Sequence, residues 1–452
     1  MRTKKIFTSL LLLLSLSAQG QEVLTLKQCR EMALQNNKEM AAAVKQTQSA
    51  HYMQKSFKAN FFPNITAQGT GMYANMDGTF NLPGGNLPVF ALNEMGIPTP
   101  NGTFAYFPGI DLNYEVKGAY MAGIQIDQPI FMGGKIVTGY KMAKLGKDMA
   151  MLNENLTANE VILKTENSYA LLVKATEMKK VADSYHQLLT ELMKVVESAH
   201  KHGLKPLNDV LKVQVKLNES ELSIKKAENA IRLASMNLCH LIGKPLNTDL
   251  QIDATYPHTS ECASNAIMSI DNRPEYMLLN KKVSMAKQKV NLSRSELLPQ
   301  IGVRGSYSYM NGLKINDQKL FDNDGFAVMV NVSIPIFHFG ERYNKMRAAK
   351  TQLEQTRLEQ SNLNEKMMLE LTQATNNWEE AQLEATLADR LLQQAAENQR
   401  VSKSQFEAGL ETLSDHLESQ ALWQQAYATQ VNAHFQVYLE YVNYLKAAGL
   451  LQ

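Results

Sequence analysis

Hydrophobic residues recur at every seventh position over long stretches of this 452-residue chain. Residues 134–202 and 340–408 contain no proline and almost no glycine, so each is predicted to form one long helix, on the order of 100 Å. The first of them places these residues on one seam: Met178, Val181, Tyr185, Leu188, Leu192, Val195 and Ala199. The segment that follows keeps the seven-residue spacing at Val210, Leu217, Ile224, Ile231 and Leu238. A sustained repeat of seven predicts coiled-coil packing with a left-handed supercoil.

Each long helix is followed by a Gly-Leu pair, Gly203-Leu204 or Gly409-Leu410. Glycine suits the left-handed residue that ends a helix, and Pro206 fits the first turn of the next one. Shorter helices are predicted after the two pairs, at 206–242 and 411–448. The pattern therefore predicts two antiparallel helical hairpins with tight tips. Two further segments are helical in pattern and are predicted to pack beside the rest of the long helices: 25–60 and 271–297.

Four segments of about ten residues alternate between apolar side chains and polar or small ones. They lie at about 64–74, 115–128, 300–310 and 326–335. In one of them Ile301 and Val303 alternate with Gly302 and Arg304. One apolar and one polar face is typical of a strand that crosses a bilayer beside a water-filled lumen. The alternative is a soluble sheet with one face on a core, and the membrane interpretation is preferred because no apolar helix is available to cover such a core.

The segment between the first two strands, residues 75–115, is rich in Gly, Pro and Asn and is predicted to be a loop outside the cell. It carries five aromatic residues: Phe80, Phe90, Phe104, Tyr106 and Phe107. These side chains would narrow the mouth of a channel if they pointed into it, whereas an ordinary surface loop has no gating role. The sequence leaves both interpretations open.

The chain matches itself without a gap when it is shifted by 206 residues, which aligns 129–243 with 335–449. Upstream the offset is 236, so that Asn36 pairs with Asn272 and Glu39 with Glu275. The 30 extra residues (236 minus 206) therefore lie between Pro63 and Pro129. Two structurally equivalent repeats are predicted, residues 21–250 and 251–452.

The first 20 residues have the pattern of an export signal. Basic residues precede an apolar run at 6–16, and Ala18-Gln19-Gly20 follows it. Cleavage after Gly20 is preferred, and cleavage after Ala18 also fits. The first cysteine is Cys29, so a lipid anchor at the signal junction is not expected. No later window approaches the roughly 18 uninterrupted apolar residues of a membrane-spanning helix, so the exported chain would enter a membrane as strands.

Four strands are too few to close a barrel, and a bilayer does not tolerate an open sheet edge. The missing strands must then come from other copies of the chain. Two copies would supply the minimum of about eight strands and three would supply twelve. A trimer is favoured because six helical hairpins around one axis also leave room for a channel.

Composition and motifs indicate neither an enzyme nor a nucleic-acid-binding protein. The formal net charge of +2 includes no basic stripe that would neutralise phosphates. No nucleophile elbow, phosphate loop or metal-binding cluster is present, so no catalytic residue, cofactor or metal is expected. The three cysteines (Cys29, Cys239, Cys262) are scattered and predict no disulfide framework. His200 and His202 lie near one tip, but they point to different sides of a helix and are interpreted as solvated.

The order of these features, repeated twice, resembles the TolC family of outer-membrane factors. The segments that carry the resemblance are 36–39 and 272–275, the strand exits 128–134 and 334–340, and the Gly-Leu-x-x-x-x-Asp tips. The resemblance implies a mixed α and β membrane protein. Each chain would contribute four transmembrane strands to a trimeric 12-stranded barrel in outer-membrane lipid, which continues into a periplasmic α-helical barrel. It also implies two partners, a periplasmic adaptor protein and an inner-membrane transporter, either a proton-driven pump or an ABC exporter. Many relatives have a lipidated N-terminal Cys, which this chain lacks.

The resemblance further implies roles for the hairpin tips. The acidic ring that closes the periplasmic end corresponds by position to Asp415 and Glu418, which share a helix face. The attraction of an acidic side chain to a helix N-terminus is enough to explain why Asp209 or Asp415 is acidic. It explains Glu418 less well, because Glu418 lies beyond the first turn. The residues expected to dock on the adaptor are Gly203, Leu204, Leu207, Asp209, Gly409, Leu410 and Leu413, with packing inside the hairpin as the competing explanation.

The leading functional interpretation is therefore an exit duct for efflux of drugs or other small molecules through the outer membrane of a Gram-negative bacterium. The exit duct of a type I protein secretion system is the alternative. A trimeric autotransporter adhesin fits less well, because its strands would lie together at the C-terminus. A periplasmic coiled-coil scaffold would require all the alternating strands to be soluble.

Overall fold

The computed structural model describes residues 23–116, 118–253, 256, 269–312, 314–319 and 322–451. The predicted signal at 1–20 and Cys262 lie outside the described residues. The chain divides into two compact units. The first comprises Met1–His51, Leu145–Met285 and Leu353–Gln452, and the second comprises Tyr52–Lys144 and Ala286–Gln352.

Seven helices account for most of the described chain. They are α1 (Leu26–Asn36), α2 (Lys38–Ala59), α3 (Lys135–Lys201), α4 (Leu207–Ile242), α5 (Pro274–Ser295), α6 (Glu341–Glu407) and α7 (Leu413–Ala447). The long helices α3 and α6 have 67 residues each, and α4 and α7 have 36 and 35. In the part of the chain that the structure describes, no helix combines the length and apolarity that crossing a membrane requires.

The helical segment predicted at 25–60 is broken at Asn37. Asn37 has an extended backbone, and its side-chain oxygen accepts hydrogen bonds from the backbone N–H groups of Glu39 at 2.8 Å and Met40 at 3.3 Å. It therefore ends α1 and caps α2. Its amide nitrogen also donates to the Leu241 carbonyl at 3.1 Å, near the end of α4. Gly243 then allows a close approach, because a Cβ atom there would lie 2.5 Å from the Cβ of Asn36.

The helices of the first unit pack along narrow apolar seams. On α6 four of the five buried alanines lie seven residues apart: Ala374, Ala381, Ala388 and Ala395. Such small side chains allow the backbones of neighbouring helices to approach closely, and Ala388 packs in one cluster with Ala433 of α7. The free cysteine Cys29 is fully buried in the main core, and burial raises the pKa of its thiol to about 11.

The predicted seam of α3 differs from the buried face at two positions. Val195 is 52% exposed, and its neighbour Val196 is buried instead, as is Leu189 in place of the half-buried Leu188. The reason is that an α-helix repeats every 3.6 residues, so a strict seven-residue repeat drifts by about 20° per heptad. Over a 67-residue helix the contact face passes to the next residue.

The second unit contains a four-stranded antiparallel sheet with the order β1-β6-β7-β10. Its strands are β1 (Asn64–Met72), β6 (Ala119–Met132), β7 (Gln300–Asn311) and β10 (Asp322–Ser333). The register places Asp127 opposite both Asn64 and Arg304, and it places Val330 opposite Val303. Neighbouring residues alternate between two faces. One face carries a row of apolar side chains (Ile301, Val303, Phe326, Val328, Val330 and Val332), and the opposite face carries Arg304 and Asn331. β1 and β10 are the edges of the sheet.

The prediction of a loop at 75–115 is wrong, because this segment forms strands. They are β2 (Met76–Leu82), β3 (Gly85–Leu92), β4 (Pro98–Phe107) and β5 (Ile110–Val116). Among the described strands, β3 pairs only with β4, and β2 pairs with β5. β5 also pairs with the short strand β8 (Lys314–Ile315), which in turn pairs with β9 (Gln318–Lys319). The prolines are accommodated because Pro88, Pro98 and Pro100 lie in a two-stranded ribbon, where N–H groups on the outer edges have no ladder partner. Gly96 lies in the turn between β3 and β4, Gly102 lies at the register shift of the ribbon, and both have a positive φ.

Candidate functional site

The first hairpin tip is built by the glycine that ends α3. Gly203 has a φ of 73°, and the N–H of Leu204 returns to the Ala199 carbonyl at 2.9 Å, which closes the helix. The Leu204 side chain is consequently held in solvent, 77% exposed, and Leu207 is also exposed. Asp209 lies in the first turn of α4, where its carboxylate is 3.9 Å from the Lys212 ammonium.

The second tip has the same backbone geometry. Gly409 has a φ of 75°, and the N–H of Leu410 donates to the Gln405 carbonyl at 2.8 Å. Leu410 is 81% exposed. Thr412 caps α7, because its hydroxyl accepts from the Asp415 N–H at 3.2 Å and donates to the Asp415 carboxylate at 2.7 Å. Asp415 therefore has a local structural role in addition to any role in a channel.

Leu413 does not belong to the exposed edge at which it was predicted. It is only 3% exposed, and it packs in a tip cluster with Leu192, Met193, Val196, Val213 and Phe406. The matching position of the first hairpin, Leu207, is exposed. The two tips thus differ: Leu413 packs among residues of both hairpins, whereas Leu207 is left in solvent.

Glu418 is exposed and lines a groove of about 410 Å³ between the beginnings of α4 and α7. The other lining residues are Lys212, Val215, Lys216, Ser414, Leu417 and Ala421. Lys212 crosses the groove and donates to the Ser414 hydroxyl at 3.2 Å. Lys216 pairs with Glu219 at 2.8 Å, and this partner raises the pKa of the lysine. The proposed aperture acid therefore shares its groove with two cations, Lys212 and Lys216, which sequence reasoning missed although they lie four residues apart on one helix face.

A buried polar cluster lies beside Leu413 and was also missed. It comprises Ser402, His416, Ser419 and Gln420, none of which is more than 4% exposed. The ring of His416 stacks on Phe406, with ring centroids 5.0 Å apart and planes 7° apart. Burial lowers the pKa of His416 below its ordinary value of 6.5. A histidine after an aspartate in the first turn of a helix gives no sequence signal of such burial.

The structure places the two histidines of the first tip in backbone hydrogen bonds. Nδ1 of His200 donates to the Lys205 carbonyl at 2.8 Å, and Nδ1 of His202 donates to the Ser198 carbonyl at 2.8 Å. Among the residues that the structure describes, no three His, Cys, Asp or Glu side chains are grouped so that they could hold a metal ion. The chemistry of the tips is therefore one of exposed leucines, carboxylates and lysines.

Comparison with known proteins identifies relatives of this chain. The alkaline protease secretion protein AprF of Pseudomonas aeruginosa is 20% identical in an alignment of 258 residues, which covers 54% of this chain and 51% of that protein. The match thus spans about half the length of this relative. The solved outer membrane protein VceC from Vibrio cholerae has a TM-score of 0.73 and 14% identity, covering 94% of this chain and 96% of that chain. The CmeC outer membrane channel of Campylobacter jejuni has a TM-score of 0.74 and 18% identity, covering 94% and 86%.

At these identities the structural likeness shows the fold alone, which is the mixed helix and sheet fold of outer membrane channels. The family assignment is independent of that likeness. The pattern of the outer membrane efflux proteins matches residues 29–244 and 268–450, which is most of the sequence. Since this match includes both hairpins and the four-stranded sheet, the chain belongs to the outer membrane efflux protein family.

Proposed function

We propose that three copies of this chain form the exit duct of a tripartite efflux pump that carries drugs or other small molecules across the outer membrane. Each copy would contribute four strands to a twelve-stranded barrel, and the helices would form a second barrel in the periplasm. The observation that carries the proposal is the sheet β1-β6-β7-β10, which has two open edges, in a chain of the outer membrane efflux protein family. We assign no catalytic role and no cofactor to the chain.

The strand directions support closure by other copies. Each neighbouring pair in the sheet is antiparallel, so the edge strands β1 and β10 run in opposite directions. β10 of one copy would then pair antiparallel with β1 of the next. Open edges are not tolerated in hydrocarbon, where an unpaired backbone group costs several kcal/mol. Three copies joined in this way give an even number of strands and no free edge.

The two faces of the sheet support an apolar exterior and a wet interior. The apolar face of β10 carries four exposed side chains: Phe326, Val328, Val330 and Val332. On the other face Nε of Arg304 donates to Oδ1 of Asp127 at 2.6 Å. An ion pair between strands is favoured where water reaches it, whereas exposed valines are favoured in lipid.

The matched helix lengths support the proposal that residues 21–250 and 251–452 are equivalent repeats. Both long helices have 67 residues, and the shorter helices that follow them have 36 and 35. Both long helices end at a glycine in the left-handed region. Three copies would therefore present six similar hairpin tips at the periplasmic end.

The exposed tips are proposed to dock on a periplasmic adaptor protein, which connects the duct to an inner-membrane transporter. The proposed docking residues are Gly203, Leu204, Leu207, Asp209, Gly409 and Leu410. An apolar side chain that a closed turn holds in solvent gains stability when a partner covers it, about 1.5–3 kcal/mol for a leucine that becomes fully buried. Leu413 is not included, because it is already buried within the chain.

Replacing Leu204 and Leu410 together with aspartate is expected to abolish efflux while the channel still assembles. The substitutions put charge where the adaptor would bury apolar surface, but they touch no core residue, since both leucines are exposed. The measurements are accumulation of a fluorescent dye in cells and copurification of the adaptor. The double substitution with methionine keeps the apolar surface and is expected to retain both. Normal dye efflux in the aspartate variant would remove these leucines from the docking surface.

Replacing Asp415 and Glu418 with alanine is expected to raise the ion conductance of the reconstituted channel and to weaken block by cations. In a trimer the two acids would form carboxylate rings, which concentrate cations at a narrow aperture. The measurement is single-channel conductance in planar bilayers with and without a divalent cation. Glu397, which pairs with Arg400 at 2.7 Å on an exposed face of α6, is the control position. Unchanged conductance and block in the double variant would place the aperture elsewhere.

The exit duct itself is tested by fractionation and by an efflux assay. A band with three times the monomer mass, present in the unheated outer-membrane fraction and lost on heating, is expected. Loss of the protein should increase dye accumulation. A folded, water-soluble monomer would contradict the proposal.

Protein secretion is the second candidate function. It is favoured by the similarity to AprF, which is described as an alkaline protease secretion protein. In that case loss of the chain would leave dye accumulation unchanged and would remove a protein from the culture medium. A neighbouring gene for an ABC exporter would point the same way, and a gene for a proton-driven pump would favour efflux.

A further inference from the structure

The second hairpin contains a hydrogen-bonded polar cluster where the first has an apolar core. The Ser402 hydroxyl on α6 lies 2.9 Å from Nδ1 of His416 on α7, and the Ser419 hydroxyl lies 2.9 Å from the Ser402 hydroxyl. On the other side of the ring, Nε2 of His416 is 3.0 Å from the amide nitrogen of Gln420. The amide nitrogen can only donate, so Nε2 accepts and the neutral ring carries its proton on Nδ1.

The same three positions of the first hairpin are valines. Shifting by 206 residues pairs Ser402 with Val196, His416 with Val210 and Ser419 with Val213. Val196 and Val213 are fully buried, and Val210 packs partly buried against them. An apolar core is therefore sufficient to hold such a hairpin together. The polar cluster is not required for the fold of the tip, and it lies one residue from the proposed aperture acid Asp415.

The charges around His416 come from three sides. Lys403 and Glu407 lie on α6, and Glu411 lies in the turn. Lys205, from the tip of the first hairpin, places its ammonium 5.1 Å from the centre of the Phe406 ring on which His416 stacks. Within the described residues, the buried Oε2 of Glu411 and the buried Oε1 of Gln420 have no hydrogen-bond partner. The cluster is thus shielded from solvent, but two polar atoms in and beside it lack a hydrogen-bond partner among the described residues.

We propose that protonation of His416 loosens α7 from α6 in the second hairpin and thereby opens the aperture formed by Asp415 and Glu418. The proposal rests on the proposed function of the chain as a channel. Protonation of Nε2 would set two donors face to face at 3.0 Å and would put a charge into a buried cluster. Rotation of the Gln420 amide would remove the contact between the two donors, but the buried charge would remain.

The direction of the pH effect follows from burial. Burial holds the pKa of His416 below 6.5, although Glu411 and Glu407 act in the opposite direction and Lys403 adds to the lowering. The closed packing therefore binds fewer protons than the loosened one, and its stability is lost as the pH falls from 6.5 through the lower pKa of the folded state. Between the two pKa values the equilibrium between closed and loosened hairpins shifts by up to about tenfold per pH unit.

The test uses the full chain reconstituted in planar bilayers, with only the periplasmic side titrated from about pH 7.5 to about pH 5. We expect the open probability to rise severalfold as the pH falls. His416→Val should abolish this rise, and so should the triple substitution S402V/H416V/S419V, which gives the second hairpin the core of the first. His202→Val, at an exposed histidine of the other tip, should keep the response. The triple variant covers the case in which the single one assembles poorly.

Hydrogen exchange of the peptide spanning residues 402–420 gives a second measurement that needs no channel. Exchange in the wild type, corrected for the intrinsic effect of pH, should increase below pH 6.5, and the triple variant should not change. An identical pH response of conductance and exchange in the wild type and in both variants would overturn the proposal. If no channel forms at any pH while exchange follows this pattern, the proposed channel function fails, but the proton-dependent loosening of α7 from α6 stands.

Discussion

Replacing Val328 with arginine is expected to remove the heat-sensitive trimer from the outer-membrane fraction. Val328 lies near the middle of β10, opposite Gly305, and its side chain is 69% exposed in the single chain. In the proposed barrel this face contacts lipid, where an arginine near the midplane costs about 2–4 kcal/mol. The cost arises once per copy and therefore three times in a trimer. The sum is comparable to the whole stability of many folded proteins, about 5–15 kcal/mol.

The neighbouring residue provides a matched control for this substitution. Ala327 points to the opposite face and lies opposite Ser306, so Ala327→Arg places the same charge on the polar side of the same strand. We expect this variant to retain the trimer and to alter only the ion selectivity of the channel. Equal loss, or equal retention, of the trimer in the two variants would contradict the assignment of the lipid face.

Replacing Glu166 with alanine is expected to lower the free energy of unfolding of the first unit by about 3–5 kcal/mol. Glu166 is completely buried on α3, where it accepts from Nε of Arg30 on α1 and from the hydroxyl of Tyr438 on α7. Burial, together with the Glu166 carboxylate, raises the pKa of Tyr438, so the tyrosine remains a donor at physiological pH. Without the carboxylate, a buried hydroxyl and a partly buried guanidinium lose their partner. The measurement is the thermal and urea unfolding of the helices followed by circular dichroism.

Glu39 is the matched control for Glu166. Its carboxylate pairs with Lys164 at 2.7 Å, but both side chains are about half exposed. An exposed ion pair contributes at most about 1 kcal/mol, so Glu39→Ala should change the unfolding transition little. A similar small effect of both substitutions would mean that α1, α3 and α7 do not depend on the buried carboxylate for their packing.

Local features of the chain account for much of the fold. The lack of proline over 134–202 indicates a long helix, and α3 runs from Lys135 to Lys201. Gly203 and Gly409, each followed by an exposed leucine, adopt the left-handed conformation that a helix end requires. Alternation at 300–310 indicates a strand, and β7 runs from Gln300 to Asn311. These features can be predicted from the sequence because each depends on neighbouring residues within one helical turn or one pleat of a strand.

Other features could not be predicted because they depend on contacts between distant segments. The strands β2 to β5 lie in a stretch rich in Gly, Pro and Asn, and they form through pairing with one another and with β8. Leu413 and Leu207 occupy matching positions, yet Leu413 is buried because it packs in a cluster with residues of the other hairpin. The partners of His416 include Ser402, on the preceding helix, and nothing near the histidine in sequence reveals this contact.

The amino-acid sequence by itself determined the lengths of the long helices, the glycines that end them, the two-faced strands and the resemblance to an outer-membrane channel family. Tertiary structure alone decided which residue of each seam is buried, that the segment after β1 is a ribbon of strands, and which tip leucine is exposed. The physical reason is that helix ends and pleats follow from local backbone geometry, whereas burial depends on which surfaces of distant segments meet.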